Sequence, residues 1–387
     1  MKVELINSID QVFSSLIIFT LGLLILEKLR LTLKIKFIKS LIIYIYHTFF
    51  MFIYIKYTLN NSADSLLYFS HGITNSDIQF SIGTSFIYYL INILSVFNIS
   101  YLGYFLLFNI FGSIGLLYFY GSLLQIVSNK KLFYRRLALI VVFLPSISFW
   151  SVSIGKDSIA FLSVGLMLWA SLDLKKRKVL FILAVFCMFL IRPHIAAVVL
   201  LSLSLVIISG KDVKFFYKII ISSFLVTISY FAISFVIKYV GLESVQNINE
   251  VSQYVEKRQS YNQDGGGGID ISSMNIIEQV FTYLFRPLPF EAHSLSSLLA
   301  SFDNLFLLFL FILFVRAYIR NKPFKLINYN FIFLYSVLLI LILSSTTANL
   351  GIAVRQKWMF MPIVIFIWFV YICGDRKNKI NNMKGKI

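Results

Sequence analysis

Long apolar stretches alternate with short polar segments along almost the whole chain. A perpendicular transmembrane helix needs about 20 apolar residues, and shorter apolar helices tilt or thin the bilayer around them. The pattern therefore predicts an all-α polytopic integral membrane protein with about eleven transmembrane helices. The predicted spans are 11–27, 40–58, 101–127, 137–151, 158–173, 179–192, 195–209, 215–240, 302–320, 326–345 and 358–373.

Two further segments complete the predicted architecture. Residues 83–98 are apolar but short and close to the next span, so we expect an interfacial or re-entrant helix there. Residues 241–301 are expected to form a long extracytoplasmic (periplasmic) loop with short helices. Because the sequence contains no internal repeat and no separate soluble segment, we predict a single polytopic membrane domain over 1–387.

The charge pattern sets the predicted orientation of these spans. Of all residues, 13% are charged, against about 25% in a soluble domain. The net charge of +18 comes from short basic runs between apolar stretches, which is typical of cytoplasmic loops and argues against a nucleic-acid partner. The N-terminus is then outside and the C-terminus in the cytoplasm. The runs placed in the cytoplasm are 28–39, 129–136, 175–178, 211–214, 316–325 and 376–386.

Two other features exclude some classes of protein. Cys187 and Cys373 lie in apolar runs without a CxxC motif, so the sequence indicates neither a disulfide nor redox chemistry. The first apolar run has no small-residue cleavage site after it, and we interpret it as a retained span and not a signal peptide.

One pair of adjacent charges does not follow the orientation rule. Lys156 and Asp157, in "FWSVSIGKDSIAF", fall on the predicted outer face, with no other charge between Arg136 and Asp173. A cation at membrane depth costs about 2.5–3.5 kcal/mol, which makes such a residue a functional candidate. Lys156 is either a phosphate ligand facing a polar cavity or part of a solvated turn in which it pairs with Asp157.

Two proline-containing segments on the same predicted face carry further candidates. In "LIRPHIA", Arg192 offers a planar fork for phosphate and His194 a base near neutral pH, unless the segment is only a hairpin tip among headgroups. In "FRPLPFEAHS", the prolines exclude a regular span. Arg286, Glu291 and His293 then lie either in a re-entrant loop that lines a wet cavity or in an interfacial loop.

Three weaker features belong to the same face. Arg355 and Lys357 begin the last span and either bind an anion or anchor headgroups beside Trp358. Asp64, on the first outer loop, is either catalytic or part of a polar loop. The tetraglycine 265–268 has no following Lys-Ser/Thr and no strand–helix context, which excludes a phosphate loop and favours a flexible loop that moves over a substrate.

Four cations on one face predict binding of a phosphate or pyrophosphate. They are Lys156, Arg192, Arg286 and Arg355. No Cys, His or Asp spacing indicates a metal site, although a single carboxylate-bound cation is compatible with the sequence. No nucleotide-binding motif is present, so we expect no cofactor.

The residues resemble those of the O-antigen and capsule polymerases (Wzy-type), within the broad class C of multispanning glycosyltransferases. The resemblance extends from about Ser62 to Pro362 and is carried by "ADSLLYFS", "PSISFWSVSIGKD", "RPH", "FRPLPFEA" and "NLGIAVRQK". Such polymerases join oligosaccharide repeat units carried on undecaprenyl pyrophosphate, on the outer leaflet of the bacterial inner membrane, without a nucleotide sugar or a metal.

The resemblance implies a surface polysaccharide product, either lipopolysaccharide O-antigen or capsule. It implies the lipid-linked oligosaccharide, the bilayer and a chain-length regulator as partners. The four cations would stabilise the leaving pyrophosphate. The base that takes the proton of the acceptor hydroxyl would be one of His194, His293, Glu291 and Asp64.

Two other functions fit the same residues. If Asp64 is the base, the chain resembles a class C glycosyltransferase that moves a single sugar from a polyprenyl-phosphate donor, with or without a metal. A transporter of lipid-linked glycans would line its path with the same cations. The long predicted loop 241–301 and the absence of paired halves or repeated broken helices in the sequence argue against a transporter.

Overall fold

The computed structural model describes residues 4–61, 63–75, 78–210, 215–216, 218–220, 222–223, 227, 267–324 and 329–376. These residues are almost entirely helical, which confirms the predicted all-α class. The described strands are Asn321–Lys322 and Asp375–Arg376, which pair antiparallel. Most of the predicted span 215–240 and the loop residues 241–266 lie outside the described residues.

The helices follow the apolar stretches of the sequence. Two short 3₁₀ helices, Pro289–Glu291 and Lys357–Met359, lie between α-helices. The α-helices of the described residues are α1 Ile9–Leu33, α2 Phe37–Asn61, α3 Asp64–Thr74, α4 Thr84–Ser95, α5 Tyr101–Val127, α6 Leu132–Val142, α7 Pro145–Ser151, α8 Lys156–Ser171, α9 Leu174–Ile191, α10 Pro193–Ser209, α11 Ile276–Phe285, α12 Leu295–Arg320, α13 Tyr329–Thr346, α14 Leu350–Gln356 and α15 Met361–Ile372.

Local sequence signals mark where several of these helices begin. The side chains of Ser8 and Ser100 accept hydrogen bonds from backbone N–H groups in the first turns of α1 and α5. Asn275 forms a reciprocal capping box at the start of α11. Pro145 and Pro193 are the first residues of α7 and α10. Proline suits this position because the first N–H groups of a helix have no intrahelical acceptor.

Among the described residues, six helical segments are long and apolar enough to cross a membrane, and a seventh is a pair of helices bent by 66° at residue 360. The chain is therefore a polytopic membrane protein. The bent pair is Leu350–Met359 with Met361–Ile372. The six segments are Ile9–Leu33, Phe37–Asn61, Tyr101–Val127, Leu132–Ser151, Ser296–Arg320 and Tyr329–Thr346.

Four other predicted membrane segments are helical but are not among the helices that are long and apolar enough to cross a membrane. The predicted spans 158–173, 179–192 and 195–209 correspond to α8, α9 and α10, which have 16, 18 and 17 residues. The segment 83–98 corresponds to α4, whose 12 residues are too few to span. Length and composition thus support fewer spans than the predicted eleven.

The described chain divides into two units. The first unit is Met1–Arg192 with Arg320–Phe324 and Phe369–Ile387, and the second is Pro193–Ile319 with Lys325–Trp368. The prediction of a single membrane domain over 1–387 stays a prediction.

Helix α5 is the centre of the first unit. In the most apolar 18-residue stretch of α5, 78% of the residues are buried. The helices that pack against α5 are α1, α2, α6, α7 and α8. A Cβ atom on Gly165 of α8 would lie 2.6 Å from the carbonyl oxygen of Gly115 on α5. The two backbones therefore approach as closely as small residues allow in membrane helix packing.

The second unit is built on α13, which packs against α10 and α11. The Tyr335 hydroxyl of α13, fully buried, donates to the carbonyl oxygen of Met359 at 3.2 Å. The Leu350 N–H donates to the carbonyl oxygen of Gly267 at 2.8 Å, and Gly268 forms an isolated bridge with Asn349. The described end of the tetraglycine is thus bonded to the start of α14.

Candidate functional site

Lys156 is the first residue of α8, and its side chain reaches the start of α4. Its half-buried Nζ donates to Thr84 Oγ1 at 2.9 Å. The preceding Gly155 has a φ of +152°, and a Cβ there would lie 2.8 Å from the ring of Tyr68. Glycine is therefore needed both for the backbone conformation and for space. The "GKD" motif is a junction between helices and not an isolated turn.

Arg192 closes the open end of the hairpin that α8 and α9 form. Its Nη2 donates to Asp157 Oδ1 at 2.8 Å, and the two side chains are 12% and 6% exposed. Removing one partner of a buried ion pair costs about 3–5 kcal/mol, because the other charge stays buried. The Arg192 Nε is also buried and has no hydrogen-bond partner among the described residues. Asp157 thus orients the Arg192 guanidinium group, and the Nε donor of Arg192 remains unused among the described residues.

The N-terminal ends of α3, α4 and α8 are linked around these side chains. Ser65, in the first turn of α3, donates to the carbonyl oxygen of Ile154 at 2.9 Å. The N–H of Gly83, just before α4, donates to the carbonyl oxygen of Leu190 at 2.8 Å. Within the described part of the chain, none of the three helices has a side-chain N-cap hydrogen bond. The first N–H groups of such helices have no intrahelical acceptor, and together with the helix dipoles they favour an anion.

We refer to Asp64, Thr84, Lys156, Asp157 and Arg192 as the first-unit cluster. Asp64 is the half-buried first residue of α3, directly before Ser65. The chain therefore brings a carboxylate close to the start of α8, where Lys156 binds Thr84 and which we call the Lys156 junction. The cluster combines two cations, two carboxylates and three helix N-terminal ends. Its chemistry suits an anionic group with a carboxylate beside it.

The "FRPLPFEAHS" segment forms a second site, within the second unit. Arg286 follows the end of α11, and its Nε donates to Glu291 Oε1 at 2.8 Å. The Leu288 N–H donates to the other carboxylate oxygen, Glu291 Oε2, at 2.7 Å. The two charged side chains are 27% and 19% exposed. The segment with the two prolines therefore forms a tight turn, and the Glu291 carboxylate stabilises it by accepting hydrogen bonds from Arg286 and Leu288.

These contacts change the acid–base properties of Glu291. Partial burial opposes its ionisation, but the hydrogen bonds from Arg286 and Leu288 and the nearby charges of Arg286 and His293 outweigh this effect and lower its pKa. A carboxylate with a lowered pKa is a weaker base. The predicted role of Glu291 as a general base is therefore less favourable than its role in orienting Arg286.

Lys357 is fully buried at the bend between α14 and α15, so it does not anchor headgroups. Its Nζ donates to Asn304 Oδ1 and to the carbonyl oxygen of Leu284, the latter at 3.4 Å. Asn304 Nδ2 donates to the carbonyl oxygen of Pro287 at 3.0 Å. Lys357 and Asn304 thus bind backbone carbonyl groups before and after Arg286 and stabilise the turn that contains it.

The remaining predicted residues fall as follows. His194 lies in the first turn of α10 and is half-buried, Arg355 lies near the end of α14 and is half-buried, and His293 is exposed. Lys156, Arg192 and Asp64 belong to the first unit, whereas the other predicted site residues belong to the second. In the described ranges, no group of three or more His, Cys, Asp or Glu side chains could hold a metal ion.

Several contacts were not expected from the sequence. Thr84 and Asn304 were missed, although each had a signal. Thr84 follows a glycine that precedes an apolar helix, and Asp303 and Asn304 interrupt the apolar run of α12. Polar residues inside a predicted span are functional or structural candidates by default, and that rule finds Asn304 in the predicted span 302–320.

No protein-family model matches the sequence, and neither a curated protein nor a solved structure matches the chain.

Proposed function

We propose that the chain polymerises oligosaccharide repeat units carried on undecaprenyl pyrophosphate into a surface polysaccharide, O-antigen or capsule. The observation that carries this proposal is the first-unit cluster, in which Lys156 binds Thr84 and Arg192 binds Asp157, the residue after Lys156, beside three linked helix N-terminal ends. A pyrophosphate leaving group is an anion of the kind that such an arrangement favours. The resemblance of the same residues to the polymerase motifs supplies the reaction.

The reaction moves a glycan from one lipid carrier to the end of another chain. A hydroxyl group of the acceptor sugar attacks the anomeric carbon of the donor sugar, and the bond from that carbon to the pyrophosphate oxygen breaks. The electron pair leaves with the pyrophosphate, whose growing charge Lys156 and Arg192 stabilise. The hydroxyl proton passes to a base, for which His194, His293 and Asp64 are the candidates.

The proposal includes the membrane arrangement that the reaction needs. We infer about eleven spans in the bacterial inner membrane, with the N-terminus outside and the C-terminus in the cytoplasm. The first-unit cluster then faces the outer leaflet, where lipid-linked repeat units are polymerised. The partners are the lipid-linked oligosaccharide, the bilayer and a chain-length regulator. The hypothesis that Arg286 and Arg355 also bind pyrophosphate stays a prediction from the sequence.

A second candidate function is favoured by the position of Asp64. Because its neighbour Ser65 is bonded to Ile154, two residues before Lys156, Asp64 lies beside the anion-binding junction. A carboxylate base in this place is what a class C transferase of single sugars needs. In that enzyme the donor is a polyprenyl monophosphate and the product is one added sugar.

The test is the length of surface glycans in cells that lack the gene and carry a copy of it. Wild type, Lys156→Ala and Lys176→Ala are compared at matched protein levels. Lys176 is the matched control, because it lies near the start of α9 with an 84% exposed side chain. We expect single repeat units on the lipid anchor in the deletion strain and with Lys156→Ala, and full ladders with Lys176→Ala.

Two other outcomes would contradict the polymerase. Loss of the repeat unit itself in the deletion strain would assign the chain to an earlier step, as a single-sugar transferase or transporter. Full ladders with Lys156→Ala would remove Lys156 from the site. Asp64→Asn, added to the same series, tests the base: full ladders would assign the base to a histidine and exclude the single-sugar transferase, in which Asp64 is the base.

A further inference from the structure

A cavity of about 540 Å³ opens in the first unit, and none of the residues that line it belongs to the first-unit cluster. It lies between the N-terminal segment that leads into α1, the second half of α3, and the turn that joins α4 to α5. Its size is within the range of about 300–1,000 Å³ that small-molecule sites occupy. The reaction proposed above uses none of the residues that line this cavity.

Carboxamide groups line one side of the cavity and are held in place. Gln11 Nε2 donates to Asn98 Oδ1 at 3.2 Å, and the N–H of Asn7 donates to Gln11 Oε1 at 2.8 Å. These bonds use one of the two N–H donors and one of the two lone pairs of the Gln11 carboxamide. The remaining donor and acceptor suit a ligand that both accepts and donates hydrogen bonds.

The opposite side of the cavity combines hydroxyl groups with an aromatic ring. Ser70 and Thr74 lie one turn apart on α3, and both line the cavity. Phe69 also lines it, and its ring is 4.7 Å from that of Tyr101. A sugar ring presents hydroxyl groups at its edge and C–H groups on its faces. Amides and hydroxyls beside an aromatic ring match both parts of such a ligand.

The charge of the cavity argues against an anion. Among the described residues that line it, none is Lys or Arg, and Glu4 contributes a carboxylate. Phosphate groups and anionic lipid headgroups are bound by cations and helix N-terminal ends, as at the Lys156 junction. The two sites in this unit therefore suit different ligands, one anionic and one neutral and hydroxylated.

Apolar side chains beside the cavity place it next to the membrane surface. Val96 and Phe97, directly before Asn98, are 84% and 68% exposed, and Ile9, two residues before Gln11, is 74% exposed. Exposed aromatic and aliphatic side chains at the ends of apolar helices are typical of the membrane–water interface. A sugar linked to a lipid carrier lies at this depth.

We propose that this cavity binds a neutral sugar residue of a membrane-attached glycan. The assignment of that glycan as the acceptor chain rests on the proposed polymerase function. The Lys156 junction then holds the pyrophosphate of the donor, while the cavity holds the chain that receives it. Loss of the cavity should weaken acceptor binding and shorten the polymer, whereas loss of Lys156 should stop polymerisation.

The direct test is glycan binding by the purified full chain in nanodiscs, measured by saturation-transfer NMR titration. The probe is the set of neutral oligosaccharides released by mild acid from the surface polysaccharide of the cells that carry the gene. Ser70→Phe fills the cavity, and Gln11→Leu removes its central carboxamide. Ser128→Phe is the matched control, because Ser128 is exposed and lies outside the lining of the cavity.

We expect both cavity variants to bind the probe about tenfold more weakly than wild type, with Ser128→Phe unchanged. Thr74→Ala removes one exposed hydroxyl and serves as a mild variant if a larger change lowers the melting temperature, with a smaller loss of binding expected. The proposal is overturned if wild type does not bind the probe, or if all three cavity variants bind it as wild type does. It is also overturned if phosphatidylethanolamine in the nanodisc displaces the probe, which would assign the cavity to a lipid headgroup.

Failure of this proposal is distinguishable from failure of the polymerase. If the deletion strain still makes full ladders, the chain is not the polymerase, whatever the cavity binds. If the ladder depends on the gene but the cavity variants keep wild-type binding and wild-type chain length, the polymerase stands and the cavity has no part in it.

Discussion

The ion pair of Asp157 and Arg192 allows stability and function to be separated at the scale of single residues. Asp157→Asn leaves the Arg192 charge buried without its partner, and we expect a loss of about 3–5 kcal/mol of stability. The double change Asp157→Leu with Arg192→Met replaces the pair by apolar side chains, which is often neutral or stabilising. The melting temperature of the protein in detergent should therefore fall for the single variant and recover for the double variant.

Glycan ladders measured on the same variants separate the two roles of Arg192. The double variant should fold as well as wild type and still fail to polymerise, since Arg192 has lost its guanidinium group. Full ladders from the double variant would show that the pair only closes the α8–α9 hairpin. A double variant that stays as unstable as Asp157→Asn would contradict the account of the ion pair.

Sequence patterns identify which residues to examine but not their partners. Lys156, Arg192 and Arg286 stand out because charge in apolar surroundings is costly and so is rarely placed there without a reason. The bond between Arg192 and Asp157 joins residues 35 positions apart and depends on how α8 and α9 pack. The full burial of Lys357 likewise depends on Asn304, which is 53 positions away. A local sequence pattern covers only neighbouring positions, so it does not predict contacts between residues this far apart in the chain.

At the scale of an element, the turn from Arg286 to Glu291 should respond to pH. The pKa of Glu291 in the folded chain is below its ordinary value of 4.5, so its contribution to stability is present above that value and is lost as pH falls through the lowered pKa. We expect the turn to be intact at pH 7 and to open as acidification protonates Glu291, at a pH below the ordinary pKa of 4.5. Hydrogen exchange of the Leu288 amide, corrected for its intrinsic pH dependence, reports this opening.

Glu291→Gln is the control for that measurement. Glutamine keeps the shape of the side chain but loses the charge that Arg286 and the Leu288 N–H bind. The Leu288 amide of this variant should exchange quickly at pH 7 and show no further opening on acidification. A wild-type amide whose protection does not fall anywhere in an acid titration from pH 7 would contradict the role given to Glu291.

Apolar run length predicts the existence of helices better than their ends. The segments around 11–27, 40–58 and 101–127 are helices, since long apolar runs in a membrane protein have few alternatives that satisfy the backbone. The predicted start of 302–320 was late, because α12 begins at Leu295, and the polar residues near the predicted start are Ser301, Asp303 and Asn304. These polar residues are buried within the second unit, and burial of this kind is set by packing and not by the local sequence.

At the scale of the whole molecule, the number of spans depends on whether α8 and α9 cross the membrane. With 16 residues, α8 rises about 24 Å, which is less than the hydrocarbon thickness of about 30 Å and requires local thinning. The Lys156 end should face outward and the "KKRK" end inward if the hairpin crosses. Single cysteines at Ser81 and Lys176, both exposed, mark the two ends.

Labelling with a membrane-impermeant maleimide decides between the arrangements once Cys187 and Cys373 are replaced by serine. We expect Ser81→Cys to react in intact spheroplasts and Lys176→Cys to react only after permeabilisation, because basic runs are retained in the cytoplasm. Reaction of both cysteines from outside would make the hairpin re-entrant and lower the number of spans by two. Lys156 would then lie in a re-entrant hairpin and would reach the outer leaflet without a membrane crossing.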